Sequence, residues 1–277
     1  MVLVDEALAL QNIPKRAAET HKGDYGRVLI LSGSKNYVGA PFFAAQAAVN
    51  VGSGLVYLVI PDCIYPILAQ KLNEPIFLPF DSTESALKTM LHQKADVCLI
   101  GPGLGNDRAV KAVVRECLTR LSCPIVLDAD GLNAIAKHPE CLKEANAPLV
   151  LTPHPGEFAR LFPAFDPSRR AESALAFAKE YQVTLVLKGH KTLVATENGT
   201  LYENTSGNPG MAKGGSGDVL SGVIASLIGQ GIAPEIAAYT GVWLHGHAGD
   251  LCKEMFGEYG MNPTDLLQML ETVLRGC

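Results

Sequence analysis

Short apolar runs recur along the chain and alternate with stretches in which apolar positions return every three or four residues. Arg27–Leu31, Leu55–Ile60, Asp96–Ile100, Ile125–Leu127, Leu149–Leu151 and Thr184–Leu187 are strand-sized and nearly continuous in apolar character. That is the signature of strands buried on both faces. Helical periodicity predicts helices over Pro41–Val51, Glu84–Gln93, Asp107–Leu121, Gly131–Lys137 and Ser168–Tyr181, between those strands. Alternation of this kind predicts βαβ units and a mostly parallel sheet with helices on both sides.

The pattern changes after Thr184. Thr184–Leu187, Thr192–Ala195 and Thr200–Tyr202 follow one another with no helix between them, and Asn198-Gly199 is a hairpin signal because both residue types tolerate positive φ. An antiparallel edge is therefore expected. Helices return at Gly217–Ile228, Ala233–Phe256 and Asn262–Leu274. No linker divides the chain, so the expectation is one three-layer α/β/α domain over residues 1–277, its central sheet mostly parallel with an antiparallel edge.

Composition narrows the class. Apolar residues are 48% of the chain and charged residues 18%, which excludes a disordered or collagen-like polymer. The mean hydropathy of +0.16 raises the question of a membrane. Every apolar run falls well short of the roughly 20 residues that a spanning helix needs. Buried parallel strands account for the same value. A net charge of -5 and the lack of a basic stripe disfavour nucleic acid as a partner. The first sixteen residues carry Asp5 and Glu6 and show no signal-peptide pattern. Seven cysteines, an odd number without a C-x-x-C pair, point to reduced thiols and a cytoplasmic location.

Glycine-rich loops follow several of the strands: Ser32–Ser34, Gly101–Gly105, Asp128–Gly131, Thr152–Glu157 and Lys188–His190. In a doubly wound sheet such loops converge on one rim, where ligands bind. The densest signal is Gly207–Asp218, which leads into a helix with Val219, Leu220, Val223, Ile224, Leu227 and Ile228 at helical spacing. Glycines at a helix start leave backbone N–H groups free to cradle a phosphate, with the helix dipole in support. Asp218 then falls in the first turn, facing that anion site. A flexible turn with Asp218 as a stabilising helix-start acid is the plain alternative. No Walker G-x-x-x-x-G-K-[ST] and no complete G-x-G-x-x-G occurs. His245 and His247 lie two apart in a helical pattern, so they point to different faces and make a poor shared metal site.

The run Gly214-Gly-Ser-Gly-Asp218 before an apolar helix resembles the ribokinase-like superfamily. His21–Gly26, Gly39–Pro41, Gly101–Gly105, Leu151–Glu157, Val186–Gly189 and Ala212–Asp218, in that order, are similar to the ADP-dependent NAD(P)H-hydrate dehydratase family. The resemblance implies a ribokinase-like fold and ADP-dependent dehydration of (6S)-NADHX and (6S)-NADPHX, the hydrated forms of NADH and NADPH, with AMP and phosphate as by-products. Within it, Asp218 is the catalytic base and contacts substrate. Gly214, Gly215, Ser216 and Gly217 form the anion hole. Ala40, Gly103 and His154 hold the hydrated dinucleotide, and Lys188, Gly189, His190, Lys191, Thr192 and Gly217 lie along the adenine nucleotide. Mg²⁺ is the implied cofactor and ADP the phosphoryl donor. A homotetramer and a separate NAD(P)H-hydrate epimerase in the same pathway are implied too, since the few residues before His21 leave no room for a fused epimerase.

Plainer roles stay open for several of these residues. Pro41 suits the first turn of a helix, the Gly101–Gly105 loop is a possible tight strand–helix connection, and His154 sits in a loop stiffened by two prolines. Asp128 and Asp130 are either catalytic or helix-capping. Asn204–Gly207 and Asn208 are candidates for positioning phosphates or Mg²⁺, and Glu157 for acting on the metal through water. A small-molecule kinase of the same superfamily, hydroxyethylthiazole kinase-like, is the alternative function. A non-catalytic nucleotide sensor is the other; it has no need of a base at Asp218.

Overall fold

The computed structural model describes residues 1–275; Cys277 lies outside the described residues. Ten strands form one sheet: β1 (Val2–Val4), β2 (Arg27–Leu31), β3 (Leu55–Pro61), β4 (Ile76–Phe80), β5 (Val97–Ile100), β6 (Ile125–Leu127), β7 (Leu149–Leu151), β8 (Thr184–Leu187), β9 (Leu193–Ala195) and β10 (Leu201–Asn204). Their spatial order is β1-β10-β9-β8-β7-β6-β5-β2-β3-β4. All pairings are parallel except the two that β9 makes, with β8 and with β10. The sheet is thus mostly parallel with an antiparallel step near one edge, and β1 lies outside that step, parallel to β10.

Helices cover both faces. The elements are α1 (Glu6–Leu10), α2 (Gly39–Asn50), α3 (Tyr65–Leu68), α4 (Thr83–His92), α5 (Arg108–Arg120), α6 (Asp130–Ile135), α7 (Pro155–Leu161), α8 (Arg170–Tyr181), α9 (Ser216–Gly229), α10 (Pro234–Gly260) and α11 (Pro263–Leu274). The strands read as continuous apolar runs because alternate residues enter different cores. Val28, Ile30, Val97, Leu99, Val126, Val150 and Val186 pack with α2, α9, α10 and α11. Leu29, Leu31, Cys98, Ile100, Leu127, Leu151 and Leu187 pack with α4 through α8. At about 25 cal/mol per Å² of apolar surface removed from water, two-sided burial is what makes such short strands worth ordering.

Differences from the sequence expectation have local causes. The strand β4 contains Pro79, which argues against a strand interior; β4 is an edge strand, where a missing N–H costs least. Only Gly199 adopts positive φ in the β9–β10 hairpin (φ +87). Asn198 contributes through its side chain instead, accepting hydrogen bonds from Thr196 Oγ1 (2.7 Å) and Thr200 N (3.0 Å). The helix α10 outruns its expected end but is interrupted at Gly257, whose φ of +69 is not helical.

Candidate active site

The strand order reverses between β2 and β5, the switch point at which open α/β sheets form a binding crevice. Loops from both strands are locked together there. Ser32 Oγ donates to the Pro102 carbonyl at 2.6 Å, and Gly33 N donates to the same oxygen at 2.9 Å. Gly103, at φ +63, faces the start of α2 so closely that a Cβ would lie 2.9 Å from Ala40 Cβ and 2.7 Å from Tyr37 Cβ. Two expected substrate contacts, Ala40 in the first turn of α2 and Gly103 in the loop after β5, are therefore neighbours; only small residues permit that approach.

Across the rim lies a charged cluster. Lys188, just after β8, places Nζ 2.9 Å from Asp128 Oδ1, just after β6, and 3.9 Å from Glu157 Oε2 on α7. Asp128 and Glu157 are buried. A Cβ on Gly217 would lie 3.3 Å from Lys188 Nζ, so the ammonium sits against the first turn of α9, which also carries Asp218. Burial, and then the Asp128 carboxylate, lift Asp218 from 3.8 to about 7, against the opposing pull of Lys188. Burial pushes the Lys188 ammonium down, but Asp128 and Glu157 outweigh it and hold the pKa above its usual value. The lysine stays charged while Asp218 is poised to take a proton near neutrality.

Residues at the expected anion hole are placed unequally. Gly215 is the N-cap of α9 with φ +103, and a Cβ there would strike the Phe43 ring at 2.7 Å. A Cβ on Gly214 would meet nothing within 4 Å. Ser216 opens the helix one residue earlier than expected and is buried, with no partner for its hydroxyl among the described residues.

His154 is the N-cap of α7. Its Nδ1 accepts from Gly156 N at 3.0 Å and Glu157 N at 3.2 Å, while Glu157 Oε2 accepts from His154 N at 2.8 Å. This is a reciprocal capping box with imidazole in the place of a hydroxyl. Because Nδ1 accepts, the neutral ring carries its proton on Nε2, half exposed on the rim and 3.5 Å from Glu157 Oε1.

The segment Lys188–Thr192 is folded back by Arg170 of α8. Arg170 Nη1 donates to the His190 carbonyl (3.0 Å) and Nη2 to the Leu187 carbonyl (3.4 Å). Thr192 Oγ1 closes the turn onto the Gly189 carbonyl at 3.0 Å. Lys191, at φ +55, points away and pairs with Glu203 at 3.6 Å. The Lys191 side chain is thus engaged by Glu203, while the backbone of the segment is held in a fixed turn.

A profile of the NAD(P)H-hydrate dehydratase family matches residues 28–272. The chain belongs to this family. It is 38% identical over 262 residues to the ADP-dependent (S)-NAD(P)H-hydrate dehydratase of Neisseria meningitidis, covering 92% of this chain and 87% of that one. It is 44% identical to the bifunctional NAD(P)H-hydrate repair enzyme of Moorella thermoacetica over 99% of this chain, but that match covers 54% of the larger protein. The chain thus spans about half the length of such bifunctional relatives. The crystal structure of the Bacillus subtilis ADP/ATP-dependent NAD(P)H-hydrate dehydratase, co-crystallised with ATP and Mg²⁺, superposes with a TM-score of 0.86 at 32% identity, covering 95% and 94% of the two chains.

The remaining candidates are placed by their hydrogen bonds. From sequence Asp128 and Asp130 are open between catalysis and helix capping; in the structure Ala129 is the N-cap of α6 and neither side chain caps it. Asp128 pairs with Lys188, and Asp130 Oδ2 accepts from Gly105 N at 2.8 Å, tying the β6 loop to the β5 loop. Ala129 between them is held at φ +48, a strained backbone that the flanking contacts enforce. Asn204 and Asn208 do not reach the cluster. Asn204 Oδ1 accepts from Ser206 Oγ (3.0 Å), and Asn208 donates to Asp250 Oδ1 (3.1 Å) and the Gly249 carbonyl (2.9 Å). His245 and His247 diverge as expected: burial pushes His245 down to about 4, while His247 stacks on Trp243. Arg170 is a residue the sequence did not flag, because its partners lie in another element.

Proposed function

We propose that this chain is an ADP-dependent dehydratase that returns (6S)-NADHX and (6S)-NADPHX to NADH and NADPH. Family membership supports the substrate, and the carrying observation is Asp218, lifted to about 7, at the glycine-framed start of α9. Hydroxide is a poor leaving group and phosphate a better one, so the hydroxyl must first be phosphorylated. In this reading the Asp218 carboxylate takes the proton of the ring hydroxyl. That oxygen bonds to the terminal phosphorus of ADP as the bond to AMP breaks. Backbone N–H groups over Gly214–Gly217 hold the charge on the transferred group. The carbon–oxygen bond then breaks, phosphate leaves with the electron pair, and loss of a ring proton restores the double bond. Hydrate and ADP become reduced dinucleotide, AMP and phosphate.

Ala40, Gly103 and the His154 Nε2–H line the dinucleotide side, and the Lys188–Thr192 backbone with Gly217 lines the nucleotide side. Lys188 pairs with Asp128 and lowers the negative charge that Asp128 and Glu157 would otherwise turn on phosphates. Among the described residues no group of three or more His, Cys, Asp or Glu is placed to hold a metal alone. Mg²⁺ carried on nucleotide phosphates keeps several waters and needs no closed protein cage, and Glu157 would act on it through water. Bound there, Mg²⁺ would supply charge neutralisation on the transferred phosphoryl.

We place the activity in one domain, in the cytoplasm, in a homotetramer, with a separate NAD(P)H-hydrate epimerase feeding it the S form. Among the described residues no helix is long and apolar enough to cross a membrane. A kinase of the same superfamily would release a phosphorylated product with no elimination, and the family match favours the dehydratase over it. Asp218→Asn tests the base. Folding and nucleotide binding, followed by calorimetry, should persist while turnover falls by at least about 100-fold, the usual weight of a general base. Full activity in that variant would remove Asp218 from the role.

A further inference from the structure

Away from the active rim, two thiols meet at the opposite end of the sheet. Cys98, in β5, and Cys123, two residues before β6, have Sγ atoms 3.5 Å apart. The backbone fixes the meeting. Cys98 N donates to the Pro124 carbonyl at 2.9 Å, and Cys98 is in register with Ile125. Cys123, two positions before Ile125, therefore emerges on the same face of the sheet as Cys98. Cys98 is fully buried; Cys123 is half-buried and gives the pair its access to solvent.

We propose that Cys98 and Cys123 form a reversible redox-modification site, a disulfide that staples β5 to the approach to β6. A disulfide has a sulfur–sulfur distance of about 2.05 Å, so closure asks for about 1.5 Å of relative movement. Cys123 lies in the connection rather than in the strand, where such movement is least restrained. The two thiols are also differentiated. The hydrogen bond from Cys98 holds Cys123 below its ordinary value, and the same contact, with burial, pushes Cys98 well above. Burial pushes Cys117 up to about 12 and Cys141 up to about 11. Cys123 is accordingly the attacking thiol and Cys98 the resolving one.

With a peroxide as oxidant the steps balance. Cys123 thiolate attacks one peroxide oxygen, an S–O bond forms, the O–O bond breaks, and water leaves after protonation, giving a sulfenic acid. The Cys98 sulfur then attacks the Cys123 sulfur, its proton leaves with the displaced hydroxide as a second water, and the disulfide forms. A thiol reductant reverses the step by exchange.

The experiment uses the full chain with Cys63 and Cys277 replaced by Ser, treated with hydrogen peroxide and mapped by mass spectrometry under non-reducing conditions. A linked Cys98–Cys123 peptide, lost on reduction, is expected, together with a Tm raised by about 5–10 °C from closing this loop. In Cys98→Ser the resolving thiol is gone, so a sulfenic-acid probe such as dimedone should label Cys123. Both thiols remaining free, or Cys123 staying unlabelled in the Cys98→Ser protein, would overturn the proposal and leave the pair as two packed core residues.

Discussion

Burial and the neighbouring Asp128 set Asp218 near 7, and that has two measurable consequences. Below pH 7 the carboxyl is neutral and cannot accept the hydroxyl proton, so turnover should fall about tenfold per pH unit. Stability runs the other way. The folded value lies above the unfolded 3.8, so the contribution is fully present below pH 3.8 and lost as pH rises through about 7. The loss is at most about 4 kcal/mol. Asp218→Asn removes the charge and should melt well above the wild type at pH 8, by a smaller margin at pH 5, and nearly together with it only below about pH 3.8; equal melting at pH 8 and pH 5 would contradict the burial. Lys188 opposes the lift. In Lys188→Met the acid limb of the rate profile should therefore move to higher pH, whereas an unmoved limb would show that the ammonium does not govern Asp218. At this scale the sequence was only partly legible. Asp218 announced itself because its glycines are adjacent in the chain. The Asp128–Lys188 and Asp130–Gly105 contacts join residues brought together only by the sheet. The His154 cap is local and was readable from Glu157 three residues on, but imidazole is not an ordinary capping group.

Elements that position the site depend on close packing. The helices α2 and α9 bring Ala40 and Gly217 to the same rim, and they meet at Gly222, where a Cβ would lie 2.3 Å from the Ala44 carbonyl. Gly222→Ala must push them apart and should cost about 1–3 kcal/mol in urea unfolding, with a raised KM for both substrates. No change in either would mean that the two helices do not fix the site. The buried strands β2, β3 and β5 to β8 were legible because apolar side chains enter both cores. The edge strands were not: β1 is short and exposed, and β4 carries Pro79, so each lacks the two-sided pattern.

Across the whole molecule, nine of the ten strands run one way, so their following loops gather on one rim. A net charge of -5 does not prevent that rim from receiving anionic nucleotides. On the rim Lys188 pairs with Asp128 and backbone N–H groups face the site, while carboxylates elsewhere on the surface are screened beyond roughly 8 Å at physiological salt. The glycine clusters and the order of the motifs made the family legible from sequence, while the charge balance of the rim became visible only when strands distant in the chain were side by side. The most direct measurement is to incubate the protein with (6S)-NADHX, Mg²⁺ and ADP and to follow the absorbance of restored NADH together with AMP and phosphate. NADH, AMP and phosphate appearing in equal amounts is the predicted result; a phosphorylated product that accumulates without NADH would contradict it.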